Sequence, residues 1–165
     1  MKSKVLALIL LCGAASLGAK VKLPALVGDN MILQQQTEVK LWGTAAPEAE
    51  VRVTPSWNGQ TMTCRADKDG GWTLAVETPA AGYTPYEITF DDGEKTTLKN
   101  ILIGEVWLAS GQSNMEMPLK GFAGCCIMNG ADDIIVSAEN KGVRMFTVPK
   151  HQTYELQTDC KGSWN

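Results

Sequence analysis

Residues 86–98 read Tyr-Glu-Ile-Thr-Phe-Asp-Asp-Gly-Glu-Lys-Thr-Thr-Leu. In an extended chain successive side chains point to opposite faces, so Tyr86, Ile88 and Phe90 share one face. Asp91-Asp92-Gly93 supplies residues suited to a tight hairpin turn, and Thr96 and Leu98 resume the alternation on the return strand. A lone hairpin is marginal in water, so the flanking sequence must supply partners. Upstream, Trp72, Leu74 and Val76 share a face after the turn Asp67-Lys68-Asp69-Gly70-Gly71, and Met62 and Cys64 stand between threonines. Val51 and Val53 alternate with Arg52 and Thr54 as far as Pro55. Val39 and Leu41 alternate with Glu38, Lys40 and Trp42 as far as Gly43. Six or more short strands at this spacing predict an antiparallel β-sandwich over residues 20–100.

The pattern changes at Ile101. Ile101-Leu102-Ile103 and Val106-Trp107-Leu108-Ala109 are apolar without alternation, as in a parallel strand covered on both faces. The polar turn Ser110-Gly111-Gln112-Ser113-Asn114 follows. Residues 132–140 read as a helix and residues 143–148 as a further strand. Strand, turn, helix and strand open an α/β domain over residues 101–165, a stretch too short to close a domain of ~100–200 residues.

Residues 1–19 carry Lys2 and Lys4, an apolar run from Val5 to Leu11, and small residues ending at Gly18 and Ala19. That is the layout of a cleaved signal peptide, and the run falls short of the ~20 residues a bilayer requires. Leu11 stands before Cys12 where a lipoprotein signal wants a small residue. The mature chain is therefore expected to be secreted or periplasmic, with no membrane attachment. In an oxidising compartment Cys64, Cys125, Cys126 and Cys160 can pair in three ways, and the sequence leaves all three open. Cys125, Cys126, Cys160 and His151 lack zinc-ligand spacing, so no metal or cofactor is expected. Fifteen basic against 18 acidic residues, a net charge of -3 and no basic run argue against a nucleic-acid partner.

Ser113 is the candidate for chemistry. It stands four residues past Ala109, Gly111 permits a sharp turn, and a backbone N–H at a helix start can donate to a developing oxyanion. The same residues also fit a plain strand-to-helix turn with a capping Ser or Asn, and position alone leaves both readings open. Glu105 and Glu116 flank the turn but lack a spacing that marks a glycosidase pair, and they read as structural. Trp42, Trp57 and Trp72 could form a sugar-stacking surface, although Trp42 and Trp72 fit packing better.

Residues 104–119, Gly-Glu-Val-Trp-Leu-Ala-Ser-Gly-Gln-Ser-Asn-Met-Glu-Met-Pro-Leu, resemble the nucleophile block of the sialate O-acetylesterase family of SGNH (GDSL-like) hydrolases. Leu23-Pro24-Ala25-Leu26, Asp29-Asn30-Met31-Ile32-Leu33-Gln34 and Val39-Lys40-Leu41-Trp42-Gly43 are similar to the family's N-terminal β-domain. Residues 143–149 resemble the strand after the nucleophile helix. The resemblance implies the start of a flavodoxin-like SGNH domain and a serine esterase acting on O-acetylated sugars or glycans. Ser113 would be the nucleophile with its N–H in the oxyanion hole, supported by Gly111, Gln112 and Asn114. It also implies further oxyanion donors from later blocks and a base from a late D-x-x-H motif. Val148 stands three residues before His151, so His151 does not match that motif. Relatives acting on acetylated xylan, or a glycan-binding β-sandwich without catalysis, are the alternative readings.

Overall fold

The computed structural model describes residues 20–124, 129–138 and 142–165. Among them are seven strands: β1 Ile32–Gln34, β2 Glu38–Thr44, β3 Glu50–Pro55, β4 Met62–Arg65, β5 Gly71–Glu77, β6 Gly82–Asp91 and β7 Lys95–Gly104. They form a five-stranded sheet, in the order β1-β7-β6-β3-β4, and a two-stranded sheet of β2 and β5. The fold of the described residues is mostly β.

The hairpin forms as its residues dictate. Phe90 pairs with Thr96 and Ile88 with Leu98. At the turn Gly93 adopts φ 112° and its N–H donates to Asp91 Oδ1 at 3.0 Å. On the outer face the Thr89 and Thr97 hydroxyls hydrogen-bond across the strands at 3.0 Å. The inward faces of both sheets meet in one core. Val51 and Val53 come from β3, Leu41 from β2, Trp72, Leu74 and Val76 from β5, and Ile88 and Phe90 from β6. The Trp72 ring from the small sheet lies 5.8 Å from the Phe90 ring of the large one. Burying each such side chain contributes roughly 1.5–3 kcal/mol.

The structure departs from the sequence expectations in three places. First, the larger sheet is not purely antiparallel: β1 pairs parallel to β7, with Ile32 opposite Leu102. Parallel neighbours need a long crossover, which β2 to β6 supply. Second, residues 101–103 do not begin a new element. They are the end of β7, so the expected boundary at residue 100 falls inside a strand. Their missing alternation does reflect burial on both faces, since Ile101, Leu102 and Ile103 are all buried. Third, residues 106–109 form no strand and are exposed, because nothing among the described residues lies beside them to pair with. Among the described residues, 143–148 likewise make one bridge, Phe146 to Trp164, rather than a strand in a parallel sheet. A helix lies in the region expected at residues 132–140: α1, Gly130–Ser137, which starts two residues earlier.

The C-terminal segment is fastened to the β-unit. Trp164 Nε1 donates to the Leu26 carbonyl at 2.9 Å, and Asp159 accepts from the Ala25 N–H at 3.1 Å. Arg144 reaches Asn100 Oδ1 at 3.1 Å, and Asn100 in turn donates to Asn30 Oδ1 at 2.7 Å. Gly162 crosses Phe146 so closely that a Cβ there would sit 2.6 Å from the ring, so no other residue fits.

The expected signal segment, residues 1–19, and Cys125 and Cys126 lie outside the described residues. Cys64 and Cys160 are free thiols, and burial raises the Cys64 pKa. Among the described residues no three metal-ligating side chains gather, and no helix is long and apolar enough to cross a membrane.

Candidate functional site

The candidate site begins where β7 ends. Gly104 closes the strand, and Glu105 is the first residue beyond it. Gln34 Nε2 donates to Glu105 Oε2 at 3.0 Å and Gln35 Nε2 donates to Glu105 Oε1 at 2.6 Å. Gln34 Oε1 accepts the Val106 N–H at 2.8 Å, and the Gly104 carbonyl accepts the Gln35 N–H at 2.9 Å. The Gln34 donor, and after it the Gln35 donor, lowers the Glu105 pKa by favouring the charged carboxylate.

Past this anchorage the chain runs through solvent: Trp107 is 85% exposed and Leu108 is 95% exposed. Ser113 opens a single 3-10 turn, Ser113–Glu116, closed by the Met115 N–H donating to the Gln112 carbonyl at 2.9 Å. Gly111, Gln112 and Ser113 are exposed, and Asn114 is the second residue of the turn. Gly111 does not adopt a positive φ. Its role is clearance, since a Cβ there would come within 2.8 Å of the Met115 side chain. At the far end of the turn Glu116 pairs with Lys150 at 2.8 Å, both side chains being at least half exposed.

The sequence candidates are thus gathered only in part. Gly111, Gln112, Ser113 and Asn114 lie together, and the Glu116–Lys150 pair brings the segment holding His151 to the end of the turn. His151 is exposed and, like the Ser113 hydroxyl, has no hydrogen-bond partner among the described residues. The tryptophans do not form one surface. Trp72 is core, and Trp57 stacks edge-on against Tyr86 at 5.7 Å while donating to the Glu77 carbonyl at 2.9 Å. Trp57 is half-buried, and Trp42 is exposed at 38%. What the sequence reading missed is the pairing of Gln34 and Gln35 with Glu105. The one local hint was the run of three glutamines, Gln34 to Gln36, that begins at the last residue of β1.

No family model matches the chain. Across 97% of its length it is 27% identical to the sialate O-acetylesterase of Rattus norvegicus, and across 90% it is 29% identical to that of Homo sapiens. Among solved structures, a carbohydrate acetylesterase from Xanthomonas citri superposes with a TM-score of 0.75 and 33% identity over 88% of the chain. The chain spans about a third of the length of these proteins: 31%, 29% and 32% respectively. Since the likeness to the rat protein leaves out only 3% of the chain, it takes in both the β-unit and the Ser113 segment. In sequence and structure the chain is thus similar to sialate O-acetylesterases and to a carbohydrate acetylesterase, over about a third of their length.

Proposed function

We propose that this chain carries the nucleophile segment of a serine esterase that removes O-acetyl groups from carbohydrates, with Ser113 as the nucleophile. The observation that carries this reading is the likeness to sialate O-acetylesterases across the segment that presents Ser113 to solvent. In this reading Ser113 Oγ attacks the acetyl carbonyl while a base takes its proton. The oxyanion gathers on donors that include the Ser113 N–H. Collapse breaks the bond to the sugar oxygen, which takes the proton from the base and leaves as a hydroxyl, and an acetyl-serine remains. Water then attacks that ester, releasing acetate and restoring the serine hydroxyl.

The base and the remaining oxyanion donors belong, in this proposal, to parts of the protein beyond the 165 residues. The two-sheet unit would be the family's β-sandwich, and residues 106–165 the opening of its SGNH domain. Covering sheet and helices would then bury Val106, Trp107 and Leu108. We further infer export by way of residues 1–19, and an O-acetylated sugar or glycan as substrate.

The test is acetate release by the full-length protein from O-acetylated sialic acid and from acetylated xylan. Ser113→Ala is expected to abolish release from whichever sugar is turned over while leaving the fold intact. Unchanged release by the alanine variant would falsify the assignment. Turnover confined to xylan would move the substrate to the plant polysaccharide.

A further inference from the structure

We infer that Glu105, gripped by Gln34 and Gln35, is a positioning residue for the Ser113 segment, an inference that rests on Ser113 being the nucleophile. Gln34 Oε1 is committed to the Val106 N–H at 2.8 Å, which turns its NH2 group toward Glu105. Gln35 Oε1 is committed to the Ala81 N–H at 2.8 Å, which turns its NH2 group toward Glu105 as well. A backbone donor thus orients each amide, and two N–H groups converge on one side chain. The group that meets them must accept at both of its terminal atoms. An ionised carboxylate does so, whereas a primary amide offers one acceptor and sets its own NH2 against another. Hydrogen bonds to a charged acceptor are also roughly twice as strong as neutral ones.

The position of this clamp gives it a role beyond surface packing. Gly104, Glu105 and Val106 are each tied to Gln34 or Gln35, which fixes the direction in which the chain leaves the sheet. The next side-chain anchor along the described chain is the Glu116–Lys150 pair, on the far side of Ser113. Between clamp and serine no side chain of the described residues makes a hydrogen bond or ion pair, so the clamp is the nearest fixed point upstream of Ser113. The clamp also joins Gln34 and Glu105, two residues 71 positions apart that lie in two separate blocks of family resemblance.

The experiment uses the full-length protein, a small acetyl ester, and labelling of the serine by a fluorophosphonate. Glu105→Gln is expected to lower kcat and the labelling rate by about 10- to 100-fold, the effect of a shift on the order of 1 Å, with KM and Tm nearly unchanged. The exchange Gln34→Glu with Glu105→Gln rebuilds the set. The carboxylate then takes the Val106 N–H and the new amide's NH2, and that amide's oxygen takes Gln35. It is expected to bring kcat back to within about threefold of the parent. Glu105→Gln with unchanged kcat, beside an inactive Ser113→Ala, overturns the clamp and leaves the serine reading standing. Activity retained by Ser113→Ala overturns both. Should Glu105→Gln fail to fold, the exchange decides alone: an active exchange supports the clamp, and an inactive or unfolded one overturns it.

Discussion

Phe90 is fully buried on β6, pairs with Val53 and Thr96, and meets Trp72 of the smaller sheet at 5.8 Å with a 48° tilt. Phe90→Ala removes a large ring from the point where the two sheets touch. Such truncations cost about 3–5 kcal/mol, a large share of a domain's ~5–15 kcal/mol. With a urea dependence of about 1–3 kcal/mol per molar, the unfolding midpoint falls by about 1–5 M, read by far-UV circular dichroism. The milder changes Phe90→Leu and Trp72→Leu keep the protein folded and allow a double-mutant cycle. A tilted aromatic pair across a shared core predicts a coupling of about 0.5–1.5 kcal/mol. A coupling below about 0.3 kcal/mol, with the single losses simply adding, would mean that the two sheets do not share a core here.

Three further outcomes are expected. His151→Ala in the full-length protein leaves turnover within a few-fold of the parent. A drop on the order of 10³ would make His151 the base and refute the argument from its mismatch to the D-x-x-H motif. Limited proteolysis of the 165-residue chain cuts first within residues 106–112, while β7 protects residues 95–104. Initial cleavage inside β7 would contradict the strand assignment. For Glu105 the folded pKa lies below its unfolded value, so the clamp's contribution to stability, small at so exposed a carboxylate, is present above the ordinary carboxylate range and weakens as pH falls through the lowered value. Carbon NMR of the Glu105 carboxyl is expected to titrate below that range and to rise on Gln34→Ala; an ordinary value in the parent contradicts the clamp.

How much of this was legible in the sequence differs from element to element. β3, β5, β6 and the first half of β7 show period-two alternation because one face of each is buried and the other wet, and the residues register that directly. Asp91-Asp92-Gly93 marked its turn because Gly93 needs a positive φ. β1 was not readable as a parallel edge strand: its three residues carry no local sign of a partner far along the chain. Val106 to Leu108 illustrate the opposite problem. An apolar run signals that burial is wanted, but burial requires covering elements, and none stands beside these residues in the described chain. The clamp escaped for the same reason as β1. Gln34, Gln35 and Glu105 are ordinary polar residues until the β1–β7 pairing sets them side by side.

Ser113 is proposed to form a covalent acetyl intermediate. Full-length protein is mixed with an O-acetylated sugar, quenched in acid within the first turnovers, digested and examined by mass spectrometry. An added acetyl group is expected on the peptide containing Ser113, absent from Ser113→Ala and from protein without substrate. Acetate release at full rate with the acetyl group on another residue, or on none, would contradict it.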